Sequence, residues 1–469
     1  MPSYLHAVKQ ATRQAMVPMV RRVVGDSDDL PIELWGMRVD ADGRLRYAAK
    51  DVVALAERFG TPLHLLDVNR LDANLAEFLS PPEPKFPGVE LYYSFKTQPL
   101  PWIIKRLVSR GAAAEVISEY ELRLALHLGI EGEKIIYNGP GKSEASIRMA
   151  IEAGILALNL NHFEEVERVA SVARSVGRRI RVGVRVVTSS GWSSQFGCSI
   201  ASGEAMATFE RALASPELDV IALHSHRGRH IHYPGELAAF VSEVLAFADD
   251  LYDRYKFAPK ILDFGGSLGM TTVRGFTPVD ERLQETLHTP VAFADPSTCL
   301  RPSAYVEQLM SSVRAHYRAR GETCPRIAIE PGRALTGSAQ ALVTRVMTIR
   351  SSPSELDYAI LDGGINIAGI LHNQLHQVYR VTNFGAPRDS LYRLVGPICQ
   401  PGDVLFPCVR LPRLSPGDVL MVMDSGAYFE PDSTSFSFQR PGTLAIEGDR
   451  ISVIRRAETF EDMIDRDHY

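Results

Sequence analysis

From about residue 91 to residue 332, short runs of β-branched and aromatic residues alternate with longer stretches of helical period. That alternation predicts a parallel sheet covered by helices. Eight strands are expected: Leu91 to Phe95, Ala112 to Ile117, Lys134 to Tyr137, Leu156 to Leu160, Arg179 to Val186, Val220 to His224, Lys260 to Phe264 and Arg326 to Ile329. Eight strands with intervening helices over roughly 240 residues suit a closed (β/α)8 barrel. A doubly wound open sheet fits the same alternation, and length does not separate the two.

Beyond residue 340 the pattern changes to runs such as Ala341 to Ile349, Tyr358 to Leu361, Val419 to Met423 and Thr443 to Ile446. Turn signals separate them: Asp362-Gly363-Gly364, Pro401-Gly402-Asp403, Pro416-Gly417-Asp418 and Glu447-Gly448-Asp449. This reads as a C-terminal antiparallel β domain. Leu34 to Tyr47, with an Asp-Ala-Asp-Gly turn at 40 to 43, reads as a hairpin joining that domain from the other end of the chain. The expected division is an N-terminal helical extension over 1–33, a β domain from 34–60 and 340–469, and the barrel over 61–339. Residues 270 to 300 show no clear periodicity and are expected to be loop.

Composition narrows the class. The chain has 469 residues, 45% hydrophobic and 23% charged, with a formal net charge of -5. No basic stripe with interleaved aromatics suggests nucleic acid. No apolar run approaches the roughly 18 residues of a membrane span, and the first residues lack a signal peptide's apolar core, so a cytoplasmic location is expected. The five cysteines, Cys198, Cys299, Cys324, Cys399 and Cys408, show no CxxC spacing. That argues against a disulfide framework and against a zinc site, and no metal is expected.

In a (β/α)8 barrel the active residues stand just past the C-terminal ends of the strands. There the sequence has Ser94-Phe95-Lys96, Glu115 and Ser118, Asn138-Gly139, Asn159 and Asn161, Arg185, His224-Ser225-His226, Asp263 to Ser267, and Glu330-Pro331-Gly332-Arg333. Taken alone, Lys96 reads as a solvated side chain at a strand end; seven other polar signals on the same rim reverse that. Gly265-Gly266-Ser267 with Gly332 lets backbone N–H groups approach a phosphate closely. Glu330 is placed to keep a pyridine nitrogen protonated, which makes such a ring an electron sink. Its structural alternative is a carboxylate paired with Arg333 or Arg185. His226 is read either as a group lying flat on a ring or as a hydrogen-bonded buried histidine.

These residues carry a resemblance. The chain resembles the fold type III pyridoxal-phosphate-dependent decarboxylases, the diaminopimelate and ornithine decarboxylase family with an alanine racemase-like barrel, and most resembles the diaminopimelate branch. The likeness runs from about Phe59 to Met463 through eight motifs in one order. They are Tyr93 to Lys96, Ser118 to Glu121, Asn138 to Ser143, His224 to Gly228, Leu262 to Gly269, Glu330 to Arg333, Val395 to Cys399 and Asp424 to Tyr428. The resemblance implies pyridoxal 5'-phosphate, with Lys96 as the Schiff-base lysine, His226 on the ring face and Glu330 on the pyridine nitrogen. Gly265, Gly266, Ser267 and Gly332 would hold the phosphate together with Tyr428, and Arg333 would lie near phosphate or substrate. Cys399 would donate a proton across the interface of a homodimer with shared sites. A lone cysteine in a Gly-Pro-Ile-Cys turn also suits chemistry better than packing.

The chain departs from that pattern in places. Gln400 replaces the acidic residue that, in the family, holds the substrate's distal ammonium, and a neutral amide forms no such ion pair. Arg229 replaces a serine expected to touch phosphate, and Arg227 and His230 add positive charge beside it. Ile367 to His372 replaces an Arg-Pro and tyrosine grip. The expected activity is decarboxylation of an amino acid, a diamino acid or derivative with an acylated or anionic distal end, as in siderophore or antibiotic pathways. Gln400, Arg229, Arg333 and Tyr428 are the expected substrate contacts. The alternatives are meso-diaminopimelate decarboxylation, amino-acid racemisation, and a non-catalytic cofactor-binding regulator.

Overall fold

A computed structural model describes residues 15–16, 29–80, 88–191, 195–228, 230–352 and 356–468. The chain divides into two compact units. The first contains 1–71, 270–296 and 336–469; the second contains 72–269 and 297–335.

The second unit is a closed barrel of eight parallel strands. They are β1 (Glu90–Ser94), β2 (Ala113–Val116), β3 (Ile135–Tyr137), β4 (Ala157–Leu160), β5 (Ile180–Val187), β6 (Leu218–Ser225), β7 (Ile261–Asp263) and β8 (Arg326–Ile329). Each pairs with the next, and β8 pairs with β1 to close the ring. Closure rules out the open sheet. Helices follow the strands and begin where side chains satisfy their free N–H groups: Ser118 Oγ accepts from Glu121 N–H, and Ser143 Oγ accepts from Ser146 N–H. Gly154 and Gly177 end two of them in the left-handed conformation.

Strand alternation positions the site. Tyr92, Ala113, Ile136, Ala157, Ala222, Ile261 and Ala328, from seven strands, pack together as one apolar cluster. Two residues further along each of those strands, on the same face, the chain has Ser94, Glu115, Asn138, Asn159, His224, Asp263 and Glu330. Gly183 and Arg185 continue the rule on β5. An apolar floor beneath a polar layer is therefore a consequence of period two.

In the first unit, Gln340–Arg350 is the central strand, pairing antiparallel with Leu63–Asp67, Asp357–Leu361 and Val419–Val422. Most pairings in this unit are antiparallel; Leu63–Asp67 with Gly442–Glu447 and Asp357–Leu361 with Ser390–Val395 are parallel. The strand Leu63–Asp67 lies past the boundary expected at residue 60, and its hydrogen bonds put it in this sheet rather than in the barrel. The Leu34 to Tyr47 region does contain a hairpin, Arg38–Val39 with Leu45–Tyr47, whose turn is held by Asp40 accepting from Asp42 and Arg44 N–H. Its third strand is Lys50–Asp51, and Leu45 N–H reaches Val381 O.

Residues 270–296 also belong to the first unit, and they are not all loop. Pro278–Leu287 is a helix, started by a reciprocal cap in which Thr277 Oγ1 accepts from Asp280 N–H and Asp280 accepts from Thr277 N–H. Asp280 also pairs with Arg274. The helix is amphipathic over too few residues for its period to stand out. The helical extension expected over 1–33 falls mostly outside the described residues; Ile32–Trp35 is a short 3-10 turn. Among the described residues no helix is long and apolar enough to cross a membrane.

Candidate active site

Hydrogen bonds link Ser94, Lys96, Glu115, Asn138, Asn159 and Glu330 in the polar layer of the barrel. Lys96, on the turn after β1, places Nζ 3.1 Å from Glu115 Oε2. Ser94 Oγ donates to the same oxygen at 2.5 Å, so a fully buried carboxylate faces a cation on one side and a hydroxyl on the other. Asn138 Nδ2 donates to Glu115 Oε1 at 2.9 Å and to Glu330 Oε1 at 2.6 Å. His224 Nε2 lies 3.5 Å from Glu330 Oε2.

Charge in this layer is asymmetric. Ligating-type atoms of His224, Asp263 and Glu330 lie within 4.8 Å of one another, and two carboxylates so close cannot both ionise freely. Burial and the neighbouring Glu330 charge push the Asp263 carboxyl well above its ordinary range. Burial raises Glu330 too, but His224, Lys96 and the neighbouring Asp263 outweigh it and hold Glu330 well below its ordinary range. The pair therefore shares its charge unequally, with the Asp263 carboxyl pushed up and the Glu330 carboxyl pushed down. No ion pair of Glu330 with Arg333 or Arg185, the structural alternative, is found among the described residues; its near neighbours are those of this cluster. Arg185 is instead stacked over Phe196, 5.0 Å from the ring centroid, and its Nε has no partner among the described residues.

After β7 the chain turns tightly. Gly265 takes φ +61, and its N–H donates to Asp263 Oδ1 at 2.9 Å. Gly266 N–H donates to His226 Nδ1 at 3.1 Å, so that nitrogen carries no proton. Burial, Arg185 and Lys96 hold His226 well below the ordinary histidine range, consistent with a neutral ring. A Cβ on Gly266 would sit 1.9 Å from Glu330 O, and one on Gly332 would sit 2.0 Å from Thr97 Oγ1. Ser267 Oγ is buried with no partner among the described residues. Glycine turns that admit no side chain, beside an unpartnered hydroxyl, form a cradle fitted to an anion that needs donors.

A family model described as pyridoxal-dependent decarboxylase, pyridoxal binding domain, matches residues 75–337, more than half of the chain. The chain belongs to that family. It is a fold type III pyridoxal-phosphate-dependent amino-acid decarboxylase of the diaminopimelate and ornithine decarboxylase group. Diaminopimelate decarboxylase of Bacillus subtilis is 26% identical over 444 residues, covering 92% of this chain and 96% of that protein. The Mycobacterium leprae enzyme of the same name is 28% identical over 485 residues, covering 98% and 97%. Among solved structures, AQ1208 from Aquifex aeolicus matches with TM-score 0.79 at 25% identity, covering 92% of this chain and 98% of that one. A lysine/ornithine decarboxylase from Vibrio vulnificus, complexed with putrescine, shares the fold with TM-score 0.69 at 21% identity, covering 88% and 100%.

For this decarboxylase, one unit brings together Lys96, His226, Gly265, Gly266, Ser267, Glu330 and Gly332, with Arg333 following directly on the Pro331-Gly332 turn. Arg229 lies outside the described residues. Cys399, Gln400 and Tyr428 stand in the β unit. Cys399 is exposed on a turn organised by buried Asp403, which accepts from Ile365 N–H and Ile398 N–H, each at 2.8 Å. Tyr428 takes φ +69, a conformation few non-glycine residues adopt. Asp403 reads in the sequence only as part of a turn signal, and its carboxylate role has no local signature. The same holds for Lys142, whose Nζ donates to Gly139 O, Asn159 O and Glu165 in full burial.

Proposed function

We propose that this enzyme decarboxylates a diamino acid, or a derivative with an acylated or anionic distal end, using Lys96 to hold pyridoxal phosphate. The observation that carries the assignment is Lys96 Nζ at 3.1 Å from buried Glu115, which Asn138 joins to Glu330. Bound pyridoxal phosphate supplies the electron sink for the bond that breaks. Glu115 and Ser94 hold the Lys96 amine at the strand end. Glu330, whose carboxyl His224, Lys96 and Asp263 hold low against burial, would accept a hydrogen bond from the cofactor's ring nitrogen, which would favour decarboxylation over racemisation. Neutral His226 offers a ring face, and Gly265, Gly266, Ser267 and Gly332 cradle the phosphate, joined by Tyr428 and Arg333. Cys399 returns a proton to the carbon that lost carbon dioxide.

Gln400 in place of an acid is what supports a substrate lacking a free distal ammonium, and Arg229 and Arg333 are its proposed anion contacts. The names of the relatives favour a second reading, meso-diaminopimelate itself. We place the enzyme in the cytoplasm as a homodimer sharing its sites, with the barrel and β domain as two working parts.

The test is carbon dioxide release by cofactor-loaded enzyme over D- and L-diamino acids, meso-diaminopimelate, and acyl- or citrate-substituted diamino acids. Turnover of substituted substrates alone supports the Gln400 argument, and turnover of diaminopimelate sinks it. Lys96→Ala should lose at least about a thousandfold in rate and retain no cofactor after borohydride reduction; substantial residual rate refutes the lysine assignment.

A further inference from the structure

Asn138 joins two carboxylates with one amide nitrogen: Nδ2 lies 2.9 Å from Glu115 Oε1 on β2 and 2.6 Å from Glu330 Oε1 after β8. An amide NH2 has two hydrogens, one for each acceptor. The orientation is not free to flip. Asn138 Oδ1 accepts from Asn159 Nδ2 at 2.8 Å, and a flipped amide would set that oxygen against two carboxylate oxygens. Asn159 is itself held at its backbone carbonyl by Lys142 Nζ, 2.9 Å away. Its side-chain oxygen packs where Gly183 has no Cβ; a methyl there would sit 2.0 Å from it.

The two acids serve different ends of the site, one beside Lys96 and one at the proposed ring-nitrogen position. Resting on that reading of the site, we propose that Asn138 is a positioning residue that electrostatically couples Glu115 to Glu330. Its two donated hydrogens fix the orientation of both carboxylates, so that a change at one end of the site is felt at the other.

The experiment compares wild type with Asn138→Asp, Asn138→Ala and Gly183→Ala. Cofactor affinity of the cofactor-free proteins is titrated between about pH 6 and 8, and the pH midpoint of the bound cofactor's visible band is recorded. Asp is the same size as Asn but brings a third carboxyl, which donates only while protonated. Asn138→Asp should therefore lose about tenfold or more in affinity at the alkaline end and recover towards wild type at the acidic end. Asn138→Ala should lose affinity at every pH, and Gly183→Ala, which displaces Asn159 Oδ1 and also presses on Ala222 Cβ, should move the band midpoint in the same direction as Asn138→Ala. A merely space-filling residue would leave Asn138→Asp indistinguishable from wild type at every pH, and that result overturns the proposal. So does an equal loss for Asp and Ala with no pH dependence. Borohydride reduction of the wild type is the control: if no cofactor is retained on Lys96, the site assignment falls and the inference with it, whereas normal retention with unresponsive variants removes the coupling alone.

Discussion

Lys142 Nζ lies 3.1 Å from Glu165 Oε1 with both side chains fully buried, and Nζ also donates to the carbonyls of Gly139 and Asn159. Glu165 in turn accepts from Asn161 N–H at 2.7 Å. The pair thus ties together the loops after β3 and β4. Lys142→Met leaves a buried carboxylate without its counter-charge, which should cost about 3–5 kcal/mol. Denaturant unfolding measures this. Adding Glu165→Leu to Lys142→Met should recover part of the loss, and a double variant less stable than the single one would refute the account.

Glu121 supplies a pH test. Its carboxyl is raised to about 7, first by burial and then by the Glu115 charge, against the bond it accepts from Ile117 N–H and the pull of Lys96. Since the folded value lies above the unfolded one, its contribution is intact below the ordinary carboxylate range and is lost as pH rises through about 7. Glu121→Gln keeps an acceptor for Ile117 and removes the titration. In cofactor-free enzyme it should be more stable than wild type at alkaline pH by on the order of 2 kcal/mol, with the gap closing towards acid. A pH-independent difference would contradict the assignment.

The glycine cradle predicts contrasting alanine variants. Gly266 has no space for a Cβ, which would meet Glu330 O at 1.9 Å, whereas one on Gly141 meets nothing within 4 Å. Gly266→Ala must push the Glu330 carbonyl, just past β8, away and should cost about 1–3 kcal/mol, with weaker cofactor binding. Gly141→Ala should stay within about 0.5 kcal/mol of wild type. Thermal unfolding and cofactor titration distinguish them.

Asp403 holds the turn that carries Cys399. Its carboxylate is 3% exposed and fills the space where Cβ atoms on Gly364 and Gly396 would lie. Asp403→Ala removes the acceptor from Ile365 and Ile398 N–H, at a cost of about 3 kcal/mol. Amide exchange should quicken around 363–366 and 396–403 and leave the barrel strands unchanged. Unaltered exchange there would show that another group holds the turn.

The barrel was legible because its signal is local and repeated: each strand is a short apolar run, and each polar rim residue falls two positions past an inward apolar one. Tyr92 and Ser94, or Ala328 and Glu330, show that rule without reference to any other strand. The cap at Thr277 and Asp280 was equally written in the chain, but the helix it starts is short and its period weak, so 270–300 reads as loop. Strand Leu63–Asp67 shows the opposite limit: its sequence says strand, and only its hydrogen-bond partners say which sheet.

The sequence by itself determined the strand count, the polar rim, and the places of the lysine, the glycine turns and the carboxylates on it. Only the tertiary structure decided that Asp263, His224 and Glu330 meet in one buried cluster that pushes the Asp263 carboxyl up and the Glu330 carboxyl down, that Asn138 bridges Glu330 to Glu115, and that Lys142 pairs with Glu165. The reason is physical. Period and turn chemistry act between residues a few positions apart, whereas a proton's location depends on burial and on charges brought within a few ångströms by strands distant in the chain.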